Sequence, residues 1–382
     1  MKLYLAYQSA VDYWSYYDLA SRAQIVKTWD TAFGSPTREL VSDAQLETPY
    51  IQLPLHVVVR GKDNKRNFSE IVCHSIGKTI PQRSFVSHSK HVAVSSPEAC
   101  FVQMANKLPL TQLVQLGFEL CGTYATDPLS GQLLKRLPRT NLQYLKNYVV
   151  KAKGIKGSAK AKQALLYIHE NSASPMETKL TMLLTLPTSL GGYALPKPEL
   201  NKVVEVDEGW RIKTYRCDLV WQLKRFKERT LNAERGTETY SDRFIAKNGG
   251  LVSSRKSASG ELSCESGSGL LSRKSASGES QNAGLALEYD SHEFHAEKRK
   301  IILDSKRRIS LERSNMRVLS VTKQQVYDEW AFDELAKVVA KYLGIRMRIG
   351  RKDFVQRRRC LRVELGLSNR PAGVAALIGT GD

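Results

Sequence analysis

The sequence predicts an α/β protein in two parts, a mixed α+β domain over residues 1–152 and a second α/β domain over 153–349, followed by a basic flexible tail at 350–382. Three observations lead there. The chain has 382 residues, more than one core usually organises and enough for two. Before residue 152, short β-branched runs separated by turn-formers sit beside stretches of helical periodicity. After residue 174 the patterns run helix, strand, strand, basic helix, strand, helix, the alternation of an α/β layer.

Composition narrows the function classes. With 58 Lys and Arg against 38 Asp and Glu, the formal net charge is +20, which points to a polyanionic partner, nucleic acid ahead of an anionic membrane face. The six cysteines form no CxxC pair and no compact Cys/His cluster, so neither a zinc module nor a disulfide framework is signalled. Reduced thiols and a cytoplasmic location are expected. No window approaches a membrane-spanning apolar length, and the N-terminus lacks a basic segment leading into an apolar run, so spanning and secretion are disfavoured.

Taken in order, residues 1–50 are rich in aromatics at roughly helical spacing and read as core helices. Runs at 55–59, 71–74 and 91–94 read as a small sheet, with His56, His74, His88 and His91 in structural or exposed positions. Ser96, Pro97 and Glu98 form a helix start, an N-cap followed by proline at the first helical position and an acid in the first turn. Helices are expected over 99–107, 110–124, 141–153 and 159–171. The five lysines between 151 and 162 suit a basic connector or the lead-in to a helix, and mark the domain boundary near 152.

In the second domain, Ser174 and Glu177 have capping-box spacing, so Glu177 is expected to reach back to the N-cap amide. Asp218 lies in an apolar strand at 216–221. Residues 223–284 are an insertion. Within it the octapeptide SRKSASGE at 254–261 recurs at 272–279, and disorder is expected over 249–283. A second acidic strand follows in LALEYDSHEFH at 285–295, where alternation puts Ala286, Glu288 and Asp290 on one face and Leu285, Leu287 and Tyr289 on the other. Paired carboxylates at the end of a buried strand repel unless a cation, a basic partner or a shared proton relieves them. Alone, the pair reads first as a strand running out into solvent with ordinary surface acids. A basic helix (298–314), a strand (318–322) and a helix (328–343) ending at Gly344 follow. The stretch 346–362 carries Arg346, Arg348, Arg351, Lys352, Arg357, Arg358, Arg359 and Arg362 against Asp353, and reads as a solvated run or a phosphate-contacting arm.

Two resemblances sharpen these expectations. The segment 92–105, VAVSSPEACFVQMA, resembles a short helix of proteins related to AbiEi-type antitoxins. Residues 174–345 resemble the PD-(D/E)XK restriction-endonuclease-like fold, and within it the Vsr-like endonucleases. The matching residues are Ser174 to Glu177, Asp218 in RCDL, Glu288 and Asp290 in EYD, His295, and Asp304 with Arg307 and Arg308 ahead of the 319–322 strand.

The resemblance implies hydrolysis of a DNA phosphodiester bond with Mg²⁺ or Mn²⁺. Asp218 and Glu288 would be metal ligands, with Glu177 and Asp290 beside them and His295 as acid, base or water-orienting group. Arg307 and Arg308 would face the scissile phosphate, unless they pair with Asp304 at helical spacing, and Arg357, Arg358 and Arg359 would contact the backbone. One departure stands out: Asp290 occupies the place of the motif lysine, which also makes a catalytically degenerate DNA-binding or antitoxin-like regulator conceivable.

Overall fold

The computed structural model describes residues 2–16, 24–26, 35–66, 68–77, 80–127, 130–222, 284–290, 298–347, 349 and 352–368. The repeat-bearing tract at 249–283, the rest of the insertion up to Ala283 and His295 lie outside them.

The N-terminal part is built on a mixed sheet. Strands β1 (Leu3–Leu5), β2 (Gln24–Val26), β3 (Leu55–Arg60), β4 (Ile71–Ile76), β5 (Phe85–Ser87) and β6 (Val92–Ser95) lie in the order β2-β5-β6-β1-β3-β4. The β1–β6 and β3–β4 pairs are parallel, the others antiparallel. The sequence signals for β3, β4 and β6 hold, whereas β1 and β5 are three residues long, too short for a periodicity to show. Helices α1 (Tyr7–Tyr16) and α2 (Arg38–Glu47) accompany this sheet.

Helix α3 (Pro97–Met104) starts as its sequence demands: Ser96 caps it by accepting the Ala99 amide, and Pro97 occupies the first turn. Helix α4 (Leu110–Cys121), the small hairpin β7 (Tyr124–Thr126) and β8 (Leu133–Lys135), α5 (Leu142–Lys151) and α6 (Ser158–Ala164) complete this part. One hydrophobic cluster runs from Leu3 through Phe118 and Ala161 to Leu367, so buried contact is continuous past residue 152.

The second layer follows the expected order and adds one strand. After α7 (Pro175–Thr185) come β9 (Glu199–Asp207), β10 (Ile212–Gln222), β11 (Gly284–Asp290), α8 (Lys298–Arg313), β12 (Met316–Thr322), α9 (Lys323–Tyr327), α10 (Glu329–Tyr342) and α11 (Lys352–Glu364). The sheet order is β12-β11-β10-β9, antiparallel except for the parallel β11–β12 pair. Strand β9 escaped the sequence reading because it is interrupted by Lys and Glu and only half buried. The acidic strands pair directly despite the long insertion, with Leu219 opposite Leu287.

Both faces of this sheet are covered. Leu219, Trp221, Leu285 and Leu287 join Leu180 and Leu184 of α7 and Phe332 and Val339 of α10. On the other face Ala286, Val220, Val318 and Met316 meet Leu311 of α8. Glycine sets one docking distance: a Cβ on Gly191 would stand 2.4 Å from the Arg357 carbonyl oxygen, so α11 can approach the 188–191 turn only because that side chain is missing.

That contact corrects the expectation of a flexible tail at 350–382. Residues 352–364 form a helix whose Phe354, Leu361 and Arg362 are buried, because hydrophobic residues recur on one face of the run of arginines. Residues from 369 onward lie outside the described set.

Candidate active site

The carboxylates are brought together by a local break in strand alternation. Along β10, Tyr215 and Cys217 belong to the α8 side of the sheet, whereas Leu219 and Trp221 belong to the α7 side. Strand β9 makes the same switch between Val204 and Leu200. Between them sit Asp218 and Asn201, the latter in the left-handed region with φ +51°. Asparagine tolerates that conformation better than most residues, and irregularities of this kind re-aim side chains. The break places the Asp218 carboxylate between strands, where its Oδ2 accepts the Tyr289 backbone N–H at 2.8 Å.

Glu177 approaches from α7. Ser174 accepts the Glu177 amide at 3.2 Å, as the N-cap pattern requires, but the return bond goes one residue beyond the N-cap amide: Glu177 Oε2 accepts from Ala173 N at 2.8 Å. The same oxygen accepts Asn201 Nδ2 at 2.6 Å. Asn201, which also donates to the Asn171 carbonyl at 2.9 Å, is the residue the sequence reading missed. The sequence carried no signal for it, because β9 itself was not legible as a strand.

Glu288 closes the group from β11, in register beside Asp218 on the neighbouring strand. Arg307 Nη2 lies 2.6 Å from Glu288 Oε1, close enough for an ion pair but without hydrogen-bond geometry, so that buried oxygen has no hydrogen bond. The same guanidinium group donates to the Arg216 carbonyl and lies 3.9 Å from Cys217 Sγ.

Burial is the leading influence on all three acids and raises each carboxyl above its usual value. For Glu177 the Asp218 charge adds to this, against hydrogen bonds from Ala173 and Asn201. For Asp218 the Tyr289 amide and Arg307 oppose it, and for Glu288 Arg307 opposes while Asp218 adds. Glu177, Asp218 and Glu288 therefore form one electrostatic group with Arg307 at its edge. Cys217, pushed up to about 12 by burial and by Glu288, is no thiolate nucleophile at neutral pH.

Neither Asp290 nor Asp304 is among the charges that act on these three acids. Asp290 ends β11, exposed, opposite Thr322. Asp304 is exposed on α8, and the adjacent arginines turn elsewhere, Arg307 to Glu288 and Arg308 to the Ser320 hydroxyl at 2.6 Å.

On α11, Arg358 is a correction. Its side chain is 7% exposed and lies 2.5 Å from Glu329 Oε1, paired also with Asp333, so it is a buried structural cation rather than a phosphate contact. The acids of α10 that hold it were not legible as its partners. Arg357 donates to the Ser189 carbonyl at 2.8 Å, and Arg359, 61% exposed, lies 3.3 Å from Glu329.

For a divalent cation the donor set fits in kind. Carboxylate oxygens suit Mg²⁺, which keeps waters and needs only one or two carboxylates, and Glu288 Oε1 is a buried oxygen left without a hydrogen bond. Among the described residues no group of three His, Cys, Asp or Glu could hold a metal ion by itself. Nor is any helix among them long and apolar enough to cross a membrane. In comparisons with known proteins, no family model, curated protein or solved structure matches the chain.

Proposed function

We propose that the protein is a metal-dependent DNA endonuclease of the Vsr-like, restriction-endonuclease-like kind. The observation that carries this reading is the coupled set Glu177, Asp218 and Glu288 beside Arg307, on a helix and two paired strands of an α-β-β-β-α-β arrangement. A protein that only bound DNA would gain nothing from burying carboxylates together next to phosphates. The formal charge of +20 supplies attraction to a polyanion.

In this reading Asp218 and Glu288 hold Mg²⁺ or Mn²⁺. When bound, the ion supplies polarisation of a phosphate oxygen and a water of lowered pKa. Arg307, freed from Glu288, neutralises charge building on the scissile phosphate. The Tyr289 amide holds the Asp218 carboxylate, while Asn201 and the Ala173 amide hold that of Glu177. His295, outside the described residues, keeps its assignment as acid, base or water-orienting group, because Asp290 cannot perform the role of a lysine.

The test is nicking of supercoiled plasmid by the full chain with Mg²⁺ or Mn²⁺. Loss of activity in both Asp218→Ala and Glu288→Ala supports the assignment, and activity surviving both substitutions overturns it. One observation favours a second reading, a degenerate DNA-binding or antitoxin-like regulator: Arg307 already serves as the counter-ion of Glu288. Salt-sensitive DNA binding without cleavage under either metal would select it.

A further inference from the structure

Away from the carboxylates, the N-terminal part encloses a cavity of about 560 Å³ between the end of β4, the start of α1, the C-terminal end of α3 and the 154–156 turn. Its lining is chemically one-sided. Lys65, Lys107 and Lys156 stand on it together with His74, and among the described residues that line it none is Asp or Glu. Three cations facing one cavity with no carboxylate among them leave a positive potential that an anion would relieve. The opposite character is present as well: Ile76, Ile80, Phe85, Val102 and Ile155 supply an apolar wall.

The cavity is held by strained and paired groups. Tyr7, its first aromatic, has φ +49°, a conformation that strains a bulky residue and persists only where surroundings enforce it. Its amide donates to Gln103 Oε1 at 3.2 Å, and its ring lies over His74 with centroids 4.0 Å apart. His74 Nε2 meets His56 Nδ1 at 2.9 Å, one ring donating and the other accepting, so the pair is arranged as neutral imidazoles. Burial first, then the charges of His56, Lys107 and Lys65, lowers His74 to about 4. Positively charged and hydrogen-bonding groups thus line one side while branched and aromatic carbon lines the other, the usual division of a small-ligand site.

We propose that this cavity binds a nucleoside phosphate, its phosphate on Lys65, Lys107 and Lys156 and its base against Phe85, Ile76 and Ile80. The volume suits a mononucleotide. The inference does not rest on the nuclease reading, since it uses none of Glu177, Asp218 or Glu288.

Titration calorimetry on the full chain, with adenosine 5′-monophosphate, thymidine 5′-monophosphate, inorganic phosphate and adenosine as probes, tests it. At least one nucleotide is expected to bind more than tenfold tighter than inorganic phosphate or adenosine. Lys65→Gln, Lys107→Gln and Lys156→Gln combined are expected to weaken that binding at least about tenfold. The lysines are exposed, so the fold is expected to tolerate the change, and an unchanged melting curve verifies it. Lys107→Arg, which keeps the charge, should retain binding where Lys107→Gln weakens it. In the complex the His74 ring should titrate at higher pH, because the anion offsets the lysines.

Four results overturn the proposal: no nucleotide binding at millimolar concentration, binding untouched by the triple substitution, equal affinity for inorganic phosphate and nucleotide, or binding confined to a 5′-phosphorylated oligonucleotide.

Discussion

Replacing Arg358 with alanine asks whether α11 is a structural strut or a nucleic-acid arm. Its guanidinium group meets Glu329 and Asp333, donates to the Tyr193 hydroxyl oxygen at 3.4 Å and lies 5.5 Å from the Phe354 ring centroid. Removing one partner of a buried ion pair costs about 3–5 kcal/mol, because the other charge stays behind uncompensated. Here Glu329 and Asp333 keep 30% and 20% exposure, so water reaches both and the expected loss falls to about 2–3 kcal/mol. The contact with Phe354 adds about 0.5 kcal/mol.

Arg359→Ala is the control. Its side chain is 61% exposed, and its pairing with Glu329 should contribute less than about 1 kcal/mol. Urea unfolding of the full chain at pH 7 measures both, and DNA binding at several salt concentrations measures the other role. Arg358→Ala should unfold at distinctly lower urea while Arg359→Ala does not. If Arg358→Ala unfolds at the wild-type midpoint and instead lowers the salt dependence of DNA binding, the structural argument is wrong.

Two further outcomes follow from the carboxylate group. Glu288→Gln should abolish nicking yet raise the urea midpoint at pH 7, since burial outweighs Arg307 in setting the Glu288 carboxyl. Its folded pKa is raised, so the wild type loses stability as pH rises from the unfolded value through the folded one. The advantage of glutamine should therefore be absent at acid pH and full near neutrality, and equal midpoints at every pH would refute it. Nicking by the wild type should gain activity over the same rise, as Asp218 and Glu288 ionise. Asn201→Ala should cost about 2–3 kcal/mol, combining lost hydrogen bonds to Glu177 and Asn171 with a left-handed alanine. Asn201→Gly should recover the backbone part of that loss, and denaturation of the two variants side by side decides it.

Local signals transferred well from sequence to structure. Ser96 and Ser174 cap the helices they were expected to cap, and Gly344 closes α10 with φ +66°. Alternation along 285–290 correctly divided Leu285 and Leu287 from Ala286. Each of these depends on residues within a few positions of one another, where propensity and hydrogen bonding act before any distant contact forms. The legible part of the site was accordingly its acids, Asp218 and Glu288, each standing out at the end of an apolar run.

What the chain order could not express was partnership across it. That Arg307 pairs with Glu288 rather than Asp304, that Arg358 is buried by Glu329 and Asp333, and that Asn201 donates to the Glu177 carboxylate are contacts made when separate segments dock. A run of arginines has one composition whether it is solvated or folded over acids on another helix. By itself the sequence determined the helix starts, the acidic strands and the excess of positive charge. Only the tertiary structure decided which charges face one another, because a charge's role depends on distance and burial, and both are set by packing between segments far apart in the chain.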